Sequence, residues 1–166
     1  SVRSAIQGFE ALHQANPTPA HRELLAVAHS SLGQVLHQAG RHDDAQAEFD
    51  VAIEELESLA KEDDDALAFR DELAWCYNHR GDLLLDLGQA EAAGADFNRV
   101  VELRRRLVKD SPDAHYVYRL AWFLANCRDP SRRQPDAAID LAKQAKDLAP
   151  ANAAYWNALG VALYRA

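Results

Sequence analysis

Cys76, His79 and Asp82 follow one another at three-residue intervals, so on a helix they share a face. A thiol, an imidazole and a carboxylate in that order could form a nucleophile with its base and orienting group, or part of a metal site. The spacing argues against both. The base that activates a nucleophile is normally brought in by tertiary structure, and a closed metal site needs about four ligands. Cys76 is therefore expected to be a small apolar residue packed inside a helical hairpin. His21, His29 and His37 lie eight apart and drift about 80° around a helix at each step, so they do not converge. The run Glu62-Asp63-Asp64-Asp65 reads as a solvated turn that puts carboxylates at the positive N-terminus of the next helix. Arg104, Arg105, Arg106 and Lys109 are expected to complement the dipole at the end of theirs. No Walker loop, G-x-S-x-G elbow or H-E-x-x-H is present. Neither catalysis, nor a metal, nor a cofactor is expected of this chain.

The elements that carry these residues all have helical periodicity. Val2, Ile6, Phe9 and Leu12 trace one helical face, ended by Asn16-Pro17. Thr18 is placed to cap the next helix, with Pro19 in its first turn. Leu24, Leu25, Ala28, Leu32, Val35 and Leu36 then form an apolar stripe up to the turn Gly40-Arg41-His42. A second helix with Ala45, Phe49, Ala52, Ile53, Leu56 and Leu59 inward runs to Lys61. Two more helices, about 66–87 and 90–109, flank Gly88. Asp110-Ser111-Pro112-Asp113 repeats the cap-then-proline device, and a shorter helix follows from about Ala114 to Cys127. An insertion with two prolines and three arginines, Arg128–Pro135, follows. Pro135 starts a helix to about Leu148, and Asn152 opens one more.

Composition agrees with soluble helices. Apolar residues make up 48% and charged residues 27%. No apolar run approaches the roughly 20 residues of a membrane span. The two cysteines form no disulfide framework and fit a reducing, cytoplasmic setting. Net charge is −8: residues 1–109 carry 11 Lys/Arg against 20 Asp/Glu, and residues 110–166 carry 7 against 6. An acidic chain repels phosphate backbones and anionic lipids, so neither nucleic acid nor membrane is an expected partner. The first residue is Ser and Met is absent, as expected of a piece of a longer chain.

An internal repeat organises all of this. Gly33, Gly40, Ala45 and Phe49 recur 48 positions later as Gly81, Gly88, Ala93 and Phe97. Mid-helix glycine costs about 1 kcal/mol relative to alanine, so Gly33 and Gly81 imply a packing reason. Two antiparallel helices approaching closely supply one: Ala45 and Ala93 offer the small opposing surface, and Phe49 and Phe97 fill the space one turn on.

These residues carry a resemblance. Trp156-Asn157-Ala158-Leu159-Gly160 matches the W-x2-L-G opening of the tetratricopeptide repeat, whose unit is about 34 residues. Trp122 and Trp156 are 34 apart, and Ala138, Ala145 and Pro150 stand in motif places. Asn126 and Asp129 depart from the pattern, which with the Arg/Pro insertion implies a shortened first helix there. The 48-residue spacing exceeds 34 by 14, about four helical turns, or two extra turns per helix. The segments Tyr116–Pro130, Tyr155–Ala166 and Arg70–Gly81 also resemble repeat arrays that accompany bacterial serine/threonine protein kinase domains. The chain itself has no kinase motif.

The fold class implied is all-α: stacked antiparallel hairpins in a right-handed superhelix. One repeat domain, residues 1–166, is expected. It divides into a leading helix (1–16), elongated hairpins (19–62 and 66–110), a shorter hairpin (113–150) and the first helix of a truncated repeat (152–166). The resemblance further implies a partner protein or peptide bound on the concave surface, as part of a larger signalling protein. Groove residues would be Ser30, Gln34 and His37, then Asn78, Asp82 and Leu85, continued by Phe123, Asn157 and Val161. Asp82 and Asp86 favour a neutral or basic ligand. The alternative is a structural spacer or a self-association module, with a homodimer formed through the C-terminal helix. There Trp156, Leu159 and Leu163 lack a covering partner.

Overall fold

The computed structural model describes residues 8, 18–63 and 67–166. The expected leading helix at 1–16, apart from Gly8, and Asp64 and Asp65 of the acidic turn lie outside the described residues. Among the described residues all regular structure is helical, without strands. The helices are α1 (Pro19–Gln38), α2 (His42–Glu62), α3 (Leu67–Asp86), α4 (Ala90–Asp110), α5 (Ala114–Asn126), α6 (Pro135–Leu148) and α7 (Ala153–Arg165). A 3-10 turn at Pro130–Arg132 sits between α5 and α6. Packing divides the chain into two compact units, Ser1–Asp96 and Phe97–Ala166, with the boundary inside α4.

Local chemistry sets the helix ends. The Thr18 hydroxyl accepts from the backbone N–H of His21 at 3.2 Å, and Pro19 fills the first turn, where no donor is needed. Gly40 and Gly88 both adopt φ of 74°, the left-handed region that favours glycine. Around Gly40 the N–H of Arg41 reaches the carbonyl of Leu36, and that of Gly40 reaches His37. Gln89 and Gly88 make the same two bonds to Leu84 and Leu85. These are Schellman closures, which satisfy the last free carbonyls of α1 and α3. One expectation is corrected. Helix α5 starts at Ala114, as expected, but not by the cap-then-proline order: Asp113 caps it, its carboxylate accepting from His115 and Tyr116 at 2.8 and 3.1 Å, and Pro112 lies outside the helix.

In the first unit, α1 and α2 form an antiparallel hairpin. Arg22 near the start of α1 holds Glu62 at the end of α2 at 2.7 and 2.8 Å, while His29 meets Glu48 at 2.6 Å. Glu62 thus closes α2 onto α1 rather than serving the following helix. Ala28, Leu32, Leu36, Ala45, Phe49 and Leu83 make a common core, whereas Leu24 and Val35, expected on the same stripe, are exposed at its edges. Gly33 lies against the Phe49 ring itself: a Cβ there would stand 3.1 Å from two ring carbons. The expectation that Ala45 opposes Gly33 is therefore revised. The glycine admits the whole aromatic ring, whose burial is worth about 1.5–3 kcal/mol.

In the second unit, α5, α6 and α7 pack through small residues, with Ala121, Ala142 and Ala158 in one cluster and Val117, Ala145 and Tyr155 in another. The 3-10 segment folds back on α5, where the Leu124 carbonyl accepts from the Gln134 N–H at 3.0 Å and the Cys127 carbonyl from Arg133 Nε at 2.8 Å. Asp129 accepts from the Ser131 N–H and from Arg132 Nε, which explains its place in a slot where an apolar residue is usual. Arg104 is not a dipole partner. It is buried in α4, donates to the Arg119 carbonyl at 3.0 Å and lies over the Phe123 ring at 5.2 Å.

Candidate interaction surface

The residues with the most reactive chemistry are placed for packing. Cys76 is fully buried. Burial pushes its thiol pKa up strongly and the nearby Glu72 carboxylate adds to this, outweighing the opposing Ser30 hydrogen bond and Arg80 charge. A protonated, enclosed thiol is a poor nucleophile. His79 stacks on Trp75 with ring centroids 3.8 Å apart. Among the described residues no group of three His, Cys, Asp or Glu side chains is placed to hold a metal ion. His29 pairs with Glu48 on α2 and His37 with Asp86 on α3, so these two histidines face different neighbours.

Helices α1 and α3, the first helices of successive hairpins, run side by side in the first unit. Ser30 Oγ donates to Glu72 Oε1 at 3.2 Å, and the His37 Nε2 to Asp86 Oδ2 distance is 2.8 Å. Of the expected groove residues here, Gln34, His37, Asn78, Asp82 and Leu85 are partly exposed. Asn78 keeps its side chain near the surface, with Nδ2 3.2 Å from His79 Nδ1. Ser30 is 1% exposed, enclosed between α1 and α3 with its single hydroxyl proton shared between Glu72 and the Val27 carbonyl, 2.9 Å away. In the second unit, Asn157 is exposed and Val161 partly so. Phe123 is 3% exposed, packed 6.0 Å from the Phe97 ring and beneath Arg104. Ser30 and Phe123 thus turn inward, contrary to their expected place on the groove.

A residue without any sequence signal organises the first unit. Arg80 of α3 donates from Nε and Nη2 to both oxygens of Asp96 on α4 at 2.8 and 2.7 Å, and from Nη1 to Asp50 of α2 at 2.6 Å. Burial alone would lower the Arg80 pKa, but the Asp96 and then the Asp50 carboxylates raise it, so the guanidinium stays charged. Three residues on three helices share no periodic spacing. Only the fold brings them together.

No helix among the described residues is long and apolar enough to cross a membrane. No curated protein matches the chain. Residues 76–106, from the last turns of α3 through the Gly88 turn into α4, match the family model of the tetratricopeptide repeat. That match supports a tetratricopeptide repeat in this segment, a helical unit that is typically non-catalytic and generally mediates protein–protein interaction.

Proposed function

We propose that the chain is a protein-interaction scaffold, a single repeat domain inside a larger cytoplasmic signalling protein, with no catalysis of its own. Its partner is a protein or peptide that lies along the first helices of the hairpins. The observation that carries this reading is the placement of Gln34, His37, Asn78, Asp82 and Leu85 on two adjacent helices, partly exposed, while the opposite faces of α1 and α3 supply the core. Such a surface mixes hydrogen-bonding groups with an apolar contact and suits an extended or helical peptide. Asn157 and Val161 supply a surface of the same kind in the second unit. The resemblance to kinase-associated arrays supports the signalling context.

The test is partner capture by Gln34→Ala combined with Asn78→Ala. Both side chains lie outside the core clusters, so stability is expected to change by about 0.5 kcal/mol or less per site. Capture should fall severalfold. Unaltered capture at unaltered stability removes α1 and α3 as the binding surface. A second reading, self-association through α7, is favoured by the exposure of Trp156, Leu163 and Tyr164 on that helix.

A further inference from the structure

The second unit contains a cleft that the reading above does not use. It occupies about 560 Å³ between α4 and the 3-10 insertion. Its apolar wall is the partly exposed Val101, backed by the fully buried Phe97, and its rim carries polar side chains from both segments. The size falls within the roughly 300–1,000 Å³ of typical ligand sites, enough for two or three side chains.

The charges around the cleft leave a remainder. Glu102 on the rim pairs with Arg99 at 2.6 Å. Arg132 pairs with Asp129 at 3.0 Å and also donates to the Asn98 amide oxygen. Arg105 differs from both. Its Nη2 donates to the neutral amide oxygen of Gln134 at 3.1 Å, and the side chain is exposed. A guanidinium has five N–H donors in a planar fork, so most of those of Arg105 remain for a ligand. The cleft therefore presents one uncompensated positive charge beside an apolar wall.

We propose that this cleft docks an acidic peptide segment of a partner protein, a single Asp or Glu next to an aliphatic residue. The carboxylate takes the Arg105 fork and the aliphatic side chain rests on Val101. A single carboxylate matches the single surplus charge, and two parallel N–H···O bonds are the geometry in which arginine binds carboxylates best. The site lies on α4 and the insertion, within the second unit, and does not depend on the surface proposed for α1 and α3.

The probe is an acetyl- and amide-capped tetrapeptide Ala-Leu-Glu-Ala, titrated into the full chain while the arginine Nε–H signals are followed by nuclear magnetic resonance. The proposal expects saturable shifts at Arg105, and binding about tenfold or more weaker for the Glu-to-Gln peptide and for Arg105→Gln. Arg105 is exposed, so Arg105→Gln should keep the wild-type far-ultraviolet spectrum, which serves as the folding control. Absence of saturation, equal binding of the Gln peptide, or indifference to Arg105→Gln overturns the proposal. Sodium acetate reproducing the peptide's affinity would also overturn it, by showing a site for free carboxylates.

Discussion

The two glycines at 33 and 160 make opposite demands on the same substitution. Both lie inside helices, where alanine is favoured by about 1 kcal/mol. At Gly160 a Cβ would have nothing within 4 Å, so Gly160→Ala is expected to stabilise by about 0.5–1 kcal/mol. At Gly33 the new Cβ would stand 3.1 Å from two carbons of Phe49, whose ring is fully buried and has no open side to move into. Overpacking of that kind costs about 1–3 kcal/mol, so Gly33→Ala is expected to lose about 1 kcal/mol net. Urea denaturation of the two variants decides between them. An equal gain at both positions would show that the Phe49 ring shifts freely. The repeat alone indicated that Gly33 has a packing role, because its cost recurs at Gly81. Which atom fills the space depended on the rotamer and helix approach, which spacing does not encode.

At the scale of elements, helix length was legible in the sequence. The 14 surplus residues of the 48-residue unit were expected as two extra turns per helix. Helices α1 and α2 have 20 and 21 residues against 13 and 14 in α5 and α6, a surplus of seven in each. Seven residues are about two turns, so the buried face keeps its direction. What joins the elongated helices was not legible. Asp96 is only 4% exposed and its carboxylate depends on Arg80, whereas Asp50 is exposed. Arg80→Met strands a buried carboxylate and is expected to cost about 3–5 kcal/mol in urea denaturation. Asp50→Ala removes a solvent-screened partner and should cost about 1 kcal/mol or less. Similar losses from both would refute the assignment of Asp96 as the buried anchor.

At the scale of the whole molecule, the two readings of function differ in oligomeric state. Trp156 and Leu163 are seven residues apart on α7, nearly the same face, and are 53% and 56% exposed; Tyr164 beside them is 92% exposed. The indole N–H of Trp156 donates to the Pro150 carbonyl at 2.9 Å and Lys146 Nζ lies 5.0 Å from its ring, so this side chain is held in place. If α7 is a self-association surface, sedimentation velocity will show a dimer that grows with concentration. Leu163→Lys with Tyr164→Lys should abolish it without loss of helical signal, since both side chains project into solvent. A monomer at every concentration removes the self-association reading and leaves the scaffold.

The sequence by itself determined the helical class, the two left-handed glycine turns, the Thr18 cap and the extra turns of the front helices. All of these follow from local backbone chemistry or from a period that a single chain displays. It also indicated that Cys76 belongs to a core, because residues three apart on one helix complete neither an activated nucleophile nor a closed metal site. The tertiary structure alone decided that Arg104 is a packing residue. It also turned Ser30 and Phe123 inward and gathered Arg80, Asp50 and Asp96 from three helices. Each of these depends on the distance between segments far apart in the chain, and side-chain spacing along one helix contains no measure of that distance.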